Sequence, residues 1–388
     1  MKRTFHIADE EDIKSGRVTD VYFARTLEIL KAKRIDKRVR AEFFAKKLPG
    51  NYGWGLLAGI EEVARLMEGK DVNIRAFGEG EVFYPWEPVM EIEGRYTDFC
   101  VFETALLGLI CESTGVATKA ARIKIAAEDR MVMSFGARRM HPAIAPMIER
   151  SAFIGGCDGV AVIASAELLE VDPMGTMPHA LILVIGDTVE AARAFDEVID
   201  KNVKRVALID TFNDEKFEAL RVAGAMKERL HGVRLDTPSS RRGDFFRICE
   251  EVRWELDLRG FKDVKLFASG GLDEAEVGML RPVVDAFGVG TCISNAPVVD
   301  FAMDITEIEG KAIAKRGKWS GAKDVLKCAT CGGRSIIPLG AATGACACGD
   351  AFESLFKPII KEGRVVRELP KPKEIRERAL KAIRGLGL

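Results

Sequence analysis

The sequence has no excess of either charge and no long apolar run. Its 388 residues include 58 Lys and Arg and 59 Asp and Glu, a formal net charge of −1, which disfavours an extended nucleic-acid-binding surface. The longest apolar stretches, Thr104–Cys111 and Ala180–Ile185, are too short to cross a bilayer. The first residues carry no apolar leader before the acidic run at positions 9–12. We therefore expect a cytoplasmic protein with no membrane and no nucleic-acid partner.

Cysteine is scarce except in one place near the C-terminus. Of nine cysteines, five stand singly in apolar surroundings and are expected to be buried thiols. The other four have the spacing C-x2-C-x14-C-x-C and are Cys328, Cys331, Cys346 and Cys348. Four thiolates in two short pairs are typical of a closed tetrahedral zinc site with a structural role. The second pair is C-x-C rather than the commoner C-x-x-C, and disulfides or an iron–sulfur centre remain alternatives.

The chain changes character twice. Residues 1–117 lack a regular strand–helix alternation and indicate an α+β domain. Residues 118–300 alternate apolar strands, beginning near positions 159, 180, 205, 233, 264 and 285, with helices at 189–199, 215–230, 244–258 and 274–280. A further strand at Arg122–Ala126 is possible. This rhythm favours an irregular α/β barrel, complete or incomplete, over a doubly wound sheet. Residues 301–388 lose the rhythm and form a C-terminal segment with the cysteine module.

Several predicted strands end in groups suited to a phosphorylated sugar. Asp210 and Asp236 follow two of them, and carboxylates at strand ends can hold sugar hydroxyls or a metal. Two later strands end in glycine-rich turns, Ser269-Gly270-Gly271 and Gly288-Val289-Gly290-Thr291. Such turns let backbone N–H groups approach a phosphate, and they predict a phosphate site at the barrel rim.

Three other residues are candidates for holding a planar anion or for chemistry. Phe135 can stack on a ring while Arg138, three residues later, pairs with a carboxylate, although paired arginines are usually solvated. Arg234 alternates with Asp236 and therefore points to the same side of a strand. His179, one of only four histidines, ends the loop Gly175-Thr176-Met177-Pro178, but a single loop histidine is more often structural.

Taken in order, these segments resemble nicotinate phosphoribosyltransferases of the type II class, and the cysteine-bearing tail resembles that of archaeal members. The matching segments are Thr19-Asp20-Val21-Tyr22, Phe102-Glu103-Thr104, Phe135-Gly136-Ala137-Arg138-Arg139, Gly175-Thr176-Met177-Pro178-His179, Asp210-Thr211, Arg234-Leu235-Asp236, Ser269-Gly270-Gly271-Leu272-Asp273 and Phe287-Gly288-Val289-Gly290-Thr291. The chain departs from many members in having a proline, Pro178, before the histidine.

The resemblance implies the reaction and its requirements. Nicotinate and phosphoribosyl pyrophosphate would give nicotinate mononucleotide and pyrophosphate in NAD salvage. The reaction would involve Mg²⁺ and would be coupled to ATP hydrolysis through phosphorylation of His179. The resemblance also implies an α+β N-terminal domain, an irregular α/β barrel, a zinc-knuckle-like tail and a homodimer, or a higher homo-oligomer, with a shared site.

The same resemblance suggests residue roles. Asp210 and Asp236 would contact ribose or its metal, and nicotinate would stack between Phe135 and Tyr22 of the partner subunit. Arg138 and Arg234 would lie near its carboxylate. The 5′-phosphate would lie on the two glycine turns, formed by Ser269, Gly270, Gly271, Gly288, Gly290 and Thr291.

Two other enzymes are alternatives. Quinolinate phosphoribosyltransferase shares the barrel but takes a dicarboxylate and needs no ATP. A barrel aldolase or lyase acting on a sugar phosphate would need a Schiff-base lysine at a strand end, whereas Lys204 and Lys265 lie at strand starts.

Overall fold

The structure, a computed structural model, describes residues 4–388. The strands are β1 Arg38–Ala45, β2 Gly55–Leu56, β3 Val72–Ala76, β4 Val82–Phe83, β5 Pro88–Arg95, β6 Met131–Ser134, β7 Gly159–Val160, β8 Val206–Leu208, β9 Gly232–Leu235, β10 Lys265–Ser269, β11 Ala286–Val289, β12 Phe301–Ile308, β13 Lys311–Ala312, β14 Lys323–Cys328, β15 Arg334–Pro338, β16 Phe352–Ser354, β17 Lys357–Lys361 and β18 Arg364–Val365. The helices are α1 Glu10–Lys14, α2 Val21–Ala32, α3 Ile60–Met67, α4 Tyr96–Phe99, α5 Glu103–Ala127, α6 Ala145–Ile154, α7 Ile163–Leu169, α8 His179–Ile185, α9 Thr188–Val198, α10 Glu215–Met226, α11 Phe245–Leu258, α12 Glu274–Leu280, α13 Thr291–Ser294 and α14 Pro372–Ala382.

The chain divides into two compact units. The first comprises the chain up to Thr118 together with Pro297–Ala382, and the second comprises Lys119–Ala296 with Ile383–Leu388. Residues after 297 associate with the N-terminal segment because β12 pairs with β1 and β17 pairs with β3. The division into domains 1–117, 118–300 and 301–388 stays a prediction.

The first unit is built on an antiparallel sheet with the order β13-β12-β1-β5-β3-β17-β18. In β3 buried and half-buried residues alternate, so one face of the strand lies on the core. The core beneath includes side chains of the strands and of α3, among them Phe43, Ile74, Met90, Val63 and Met67. A separate small sheet, β15-β14-β16, carries the cysteine cluster.

One segment of residues 4–388 is long and apolar enough to cross a membrane, the helical run Tyr96–Ala127. In this run, 56% of the most apolar 18-residue window is buried inside the protein. This burial is typical of the core helix of a soluble protein, and length and composition alone do not make a membrane span. The apolar stretch Thr104–Cys111 lies within this helix.

The second unit contains a half-barrel of six parallel strands in the order β7-β6-β11-β10-β9-β8. All residues of β8 and β11 are buried, as expected for strands covered on both faces. Aspartate N-caps begin two of the helices that follow these strands. After β8, Asp214 accepts hydrogen bonds from backbone N–H groups at the start of α10. After β10, Asp273 forms a capping box with Glu276 at the start of α12. The predicted irregular α/β barrel is confirmed in this incomplete form.

The predicted strand at Ala180–Ile185 is wrong, because these residues form helix α8. Periodicity cannot separate a short apolar strand from a helix turn. The local signals were Pro178 at the N-cap and Gly186, which has φ 96° and donates its N–H to the carbonyl of Ile182. Without a strand here, β7 and β8 are the two edges of the sheet among the described residues, and the barrel is open between them.

A second difference concerns the start of the barrel. Residues 122–126, considered as a possible strand, are the last turns of α5. The first strand is instead β6, a four-residue segment that the sequence analysis did not identify. It pairs with both β11 and β7 and carries Phe135 at its carboxyl end.

Candidate active site

A cavity of about 680 Å³ lies at the carboxyl ends of the parallel strands. It is lined by most of the predicted site residues: Phe135, Arg138, His179, Arg234, Asp236, Ser269, Gly270, Gly271, Gly288, Gly290 and Thr291. Asp210 does not line the cavity, but lies beside His179. Tyr22 belongs to the other compact unit and is 56% exposed. A cavity at this end of a β/α sheet is the usual position of a ligand site.

His179 lies between two carboxylates and a hydroxyl. Its Nδ1 is 3.0 Å from Oγ1 of Thr211, and its Nε2 is 3.6 Å from Oδ2 of Asp210 and 3.8 Å from Oδ2 of Asp236. The three partners come from the ends of β8 and β9, and His179 is the first residue of α8. The imidazole is part exposed, with 38% of its side chain accessible from the cavity side.

Asp210 is a buried carboxylate whose two oxygens accept no hydrogen bond of standard geometry from the described residues. Only 2% of its side chain is exposed. Burial raises the pKa of Asp210, and the neighbouring His179 imidazole opposes that rise. An orphaned pair of carboxylate oxygens can bind a hard cation or accept an imidazole N–H.

Arg234 brings a second cation to the cavity wall. Its Nη2 is 3.4 Å from Oδ2 of Asp236, and its Nη1 donates to the hydroxyl of Thr176. Burial lowers the pKa of Arg234, and the nearby Arg138 guanidinium lowers it further. Its guanidinium carbon lies 5.9 Å from the centre of the Phe135 ring. The ring face and two mutually repelling guanidinium groups favour a planar anionic ligand.

The first glycine turn is held open beside Asp236. Gly270 has φ 93° and Gly271 has φ 72°, a backbone region that favours glycine. A Cβ atom on Gly270 would lie 3.0 Å from Oδ1 of Asp236. The hydroxyl of Ser269 donates to the same oxygen at 2.9 Å, so this turn and the aspartate form one polar wall.

Gly288 has a packing reason of its own. A Cβ atom there would lie 2.5 Å from the ring of Phe135. The missing side chain therefore makes room for the ring that faces the cavity.

Sequence reasoning missed three supporting residues. Arg242 donates to the carbonyl of Gly270 at 2.8 Å and to Glu276 at 2.7 Å, and so fixes the glycine turn. Glu149, fully buried, accepts the N–H groups of residues 161 and 162 at 3.0 Å each and holds the loop after β7. Thr176 contacts Arg234. Arg242 lies in a segment rich in hydroxyl and basic groups just before α11, which is a local signal for an anion site, whereas Glu149, in mid-helix, gave no local signal.

Two N-terminal motifs meet in the first unit. The hydroxyl of Thr104 accepts the N–H of Asp20 and donates to its carboxylate, both at 3.0 Å. Burial raises the pKa of Glu103 to about 7, with Asp304 and Asp20 adding to the rise and Lys315 opposing it. Burial and then Asp20 and Glu103 raise the pKa of Tyr22.

The cysteine cluster has the geometry of a metal centre. The four Sγ atoms lie within 4.8 Å of one another. Two of the separations, Cys328 to Cys348 and Cys331 to Cys346, are 3.5 and 3.4 Å. These are far longer than a disulfide bond and close to the edge of about 3.8 Å of a tetrahedron with Zn–S bonds of about 2.3 Å. All four are free thiols, and the four residues fit a metal such as zinc.

The hairpin that carries the cysteines is tied to the neighbouring β4 turn. Lys327 and Arg334 are the last register pair of β14 and β15 before the cysteine-bearing loop. Both reach Glu81, at 2.6 and 3.0 Å. Arg334 also contacts Glu87 at 2.8 Å. We call these four residues the Glu81 clamp.

Comparisons with known proteins identify the family. Profiles of the quinolinate phosphoribosyl transferase N-terminal and C-terminal domains match residues 20–114 and 116–304. A crystal structure of nicotinate-nucleotide pyrophosphorylase from Pyrococcus furiosus is 53% identical, covers 100% of both chains and has a TM-score of 0.98. The human nicotinic acid phosphoribosyltransferase structure covers 95% of this chain and 94% of its own with a TM-score of 0.75, but at 17% identity it shows the fold alone.

Sequence relatives give the same result. Nicotinate phosphoribosyltransferase pncB2 of Mycobacterium tuberculosis is 27% identical and covers 90% of this chain and 82% of its own. The Bacillus subtilis nicotinate phosphoribosyltransferase is 29% identical over 67% of this chain and 59% of its own. Fold and site thus define a type II phosphoribosyltransferase. Within that class the chain belongs to the quinolinate phosphoribosyl transferase family by its two domain models, and it is similar to nicotinate phosphoribosyltransferases, the resemblance that the sequence motifs predicted.

Proposed function

We propose that this protein forms nicotinate mononucleotide and pyrophosphate from nicotinate and phosphoribosyl pyrophosphate, coupled to ATP hydrolysis, in NAD salvage. Homologues named nicotinate phosphoribosyltransferase support phosphoribosyl transfer in pyridine nucleotide synthesis. The observation that carries the finer proposal is the cavity itself. It combines one aromatic face, three guanidinium groups and two glycine turns around a histidine.

The bond changes assign tasks to the cavity walls. The lone pair of the pyridine nitrogen attacks C1′ of the ribose, and the C1′–O bond breaks with its electron pair leaving on pyrophosphate. Phe135 and Arg138 orient the ring, so the attack has the proximity of an intramolecular step. Asp210 and Asp236 present carboxylate oxygens that fit Mg²⁺, which when bound neutralises charge on the leaving pyrophosphate. The glycine turns hold the 5′-phosphate away from the reacting carbon.

We propose Nδ1 of His179 as the atom that receives the phosphoryl group of ATP. Two carboxylates lie within 3.8 Å of Nε2 and favour the tautomer with its proton there. Nδ1 then keeps a lone pair, which accepts a hydrogen bond from the Thr211 hydroxyl. The distance from Nδ1 to Oγ1 is 3.0 Å. The lone pair attacks the γ-phosphorus, and the bond to ADP breaks with its electrons leaving on ADP.

One assay tests the reaction. The purified protein is given phosphoribosyl pyrophosphate with nicotinate, nicotinamide or quinolinate, each with and without ATP. We expect product from nicotinate, raised by ATP, and little from the other two. Measuring CO₂ distinguishes the alternative, quinolinate phosphoribosyltransferase, because quinolinate would release CO₂ without ATP. Product from quinolinate alone would overturn the proposal and identify the alternative enzyme.

We propose that the cysteine module holds one structural Zn²⁺. The four thiolates close all tetrahedral positions and leave none for a substrate. Their mutual distances within 4.8 Å support a preformed site.

We also propose that the protein is a cytoplasmic homodimer or higher homo-oligomer whose sites are shared. Exposed apolar side chains support a covered surface in the assembly. They include Val21, Tyr22 and Ile29 on α2, which are 56–59% exposed, and Val184 on α8, which is 86% exposed.

A further inference from the structure

An aromatic ladder runs from the core of the first unit to its surface. Phe44, in β1, stacks on Trp86 with ring centres 5.8 Å apart and planes at 22°. Trp86 stacks on Trp319 at 6.4 Å and 25°. Phe44 is buried, whereas Trp86 is 42% and Trp319 61% exposed. The ladder therefore ends in a large indole with much of its surface open to solvent.

The backbone conformation of Trp86 is unfavourable. Trp86 has φ 72°, a left-handed conformation that is rare for a bulky side chain. Its N–H donates to the carbonyl of Ala45 at 2.8 Å. The adjoining Glu87 accepts the N–H of Tyr84 at 3.0 Å and belongs to the Glu81 clamp. The surrounding contacts thus hold a strained turn that presents an indole at the surface, a pattern associated with functional sites.

One cation without a carboxylate partner adjoins the ladder. The Nζ atom of Lys46 lies 5.9 Å from the centre of the Trp86 ring. Two further exposed cations are close in sequence, Lys47 next to Lys46 and Arg316 three residues before Trp319, and none of the three makes an ion pair with a described residue. The cations Lys315 and Lys318 differ, because both pair with Asp304. An unpaired cation at an exposed indole favours an anionic ligand over a neutral one.

We propose that the ladder is a binding site for a nucleotide. The base extends the stack on Trp319, and its phosphate is attracted to Lys46, Lys47 and Arg316. Stacking on an exposed aromatic ring and attraction to nearby cations are the two terms that hold unpaired nucleotides on proteins. None of these residues lines the barrel cavity, so the site is additional to the proposed reaction and does not depend on it.

The experiment is a titration of the full-length protein, labelled with 5-fluorotryptophan, with AMP, adenosine and ribose 5-phosphate. The chain has four tryptophans, and single variants assign their ¹⁹F resonances. We expect AMP to shift the Trp319 resonance and to bind more tightly than adenosine or ribose 5-phosphate. Trp319→Ala should weaken AMP binding about tenfold or more, since loss of one stacking ring costs that much.

Matched variants separate this site from others. Trp254→Ala is the control for an exposed indole, because Trp254 is 67% exposed on α11; it should leave AMP binding unchanged. The double variant Lys46→Gln and Lys47→Gln should weaken AMP but not adenosine. Arg138→Ala, in the barrel cavity, should leave the Trp319 shift intact.

Four results would overturn the proposal. The first is equal affinity for AMP and ribose 5-phosphate in the titration of the Trp319 resonance, and the second is an AMP-induced shift of the Trp86 resonance that survives Trp319→Ala. The third is a Trp319 resonance that responds to protein concentration instead of AMP, which would make the ladder a contact between copies. A single-stranded oligoadenylate is the last arm: binding by the oligonucleotide without binding by AMP would also contradict a mononucleotide site.

Discussion

At the scale of single residues, the cavity divides recognition of the ring from recognition of its charge. Phe135 offers a face that any planar ring can use, whereas Arg138 and Arg234 distinguish ligands by charge. Burial lowers the pKa of Arg234, and Asp236 opposes that shift. Of the two guanidinium groups, that of Arg138 is the more available to a ligand, because no carboxylate partner for it is found among the described residues.

Arg138→Ala is therefore expected to raise the KM for nicotinate by about ten- to a hundredfold, the loss expected for one charge-assisted hydrogen bond. Discrimination against nicotinamide should shrink, because a guanidinium gains little from a neutral amide. Phe135→Ala should weaken both ligands together. Steady-state kinetics with both bases measure the difference. Unchanged nicotinate kinetics in Arg138→Ala would show that the carboxylate is recognised elsewhere, with Arg234 next to test.

His179→Ala should remove ATP stimulation but leave some ATP-independent transfer, because the ribose and phosphate contacts come from other residues. Wild-type protein incubated with γ-labelled ATP should carry acid-labile phosphate, and the variant should carry none. His231→Asn is the control, since His231 does not line the cavity. Acid-labile phosphate retained in His179→Ala would contradict the assignment.

At the scale of elements, the strands that carry motifs and the helices α9 to α12 could be predicted, whereas α8 and β6 could not. The strands ending at Leu208, Leu235, Ser269 and Val289 were evident because each is a buried run closed by a carboxylate or glycine. Helix α12 was predicted with its bounds, because Asp273 and Glu276 form a capping box. Helix α8 was mistaken for a strand, because its residues are mostly apolar. In the structure its only buried residue is Ile182.

The site could be predicted to a similar degree and for a similar reason. The sequence located the groups that line the cavity, since carboxyl ends of parallel strands meet at one edge. It could not reveal that the Asp210 oxygens accept no hydrogen bond of standard geometry from the described residues, or that Glu149 holds the loop at residues 161 and 162, because both depend on how separate segments pack in three dimensions. Whether the cavity residues act as proposed stays a prediction.

The cysteine module gives a prediction at this scale. Metal removal by a chelator should expose the β14–β16 module to protease, because the thiolates would repel one another without a cation. The Glu81 clamp should loosen with it, so cleavage is also expected near residues 81–87, while the barrel unit keeps its unfolding transition. Cys331→Ser should behave like the chelated protein and Cys111→Ser like the wild type. Protein purified without chelator that holds no zinc, or a disulfide among the four cysteines, would disprove the site.

The raised pKa of Glu103, at the start of α5, predicts that the free energy of unfolding depends on pH. Its folded pKa of about 7 lies above its ordinary value of 4.5, so the stability linked to its proton is present at pH 4 and lost as the pH rises through about 7. Glu103→Gln cannot lose that proton. The variant should match the wild type near pH 4 and exceed it at pH 8 by up to about 3 kcal/mol. Urea unfolding at both pH values measures the difference, and an equal difference at both would refute the linkage.

At the scale of the whole molecule, a shared site predicts complementation. A Tyr22→Ala chain and an Asp236→Ala chain should each be nearly inactive alone. Mixed after dissociation and reassociation, they should regain activity, because one site of the mixed dimer would combine an intact Tyr22 with an intact Asp236. Activity of the mixture no greater than the sum of the parts would show that each chain forms its site alone. Light scattering of the wild type gives the oligomer size.

The pairing of β1 with β12 has a consequence during synthesis. Residues 119–296, which form the barrel unit except for Ile383–Leu388, are inserted between the two halves of the other unit. Ribosomes add about 5–20 residues per second, so β1 waits on the order of 10–50 s for a partner that lies some 260 residues later in the chain. The inserted segment is synthesised before its host is complete, and the exposed edge of β1 is a site of misassembly in the interval. A circular permutant beginning at Pro297 would make both halves consecutive and remove that wait.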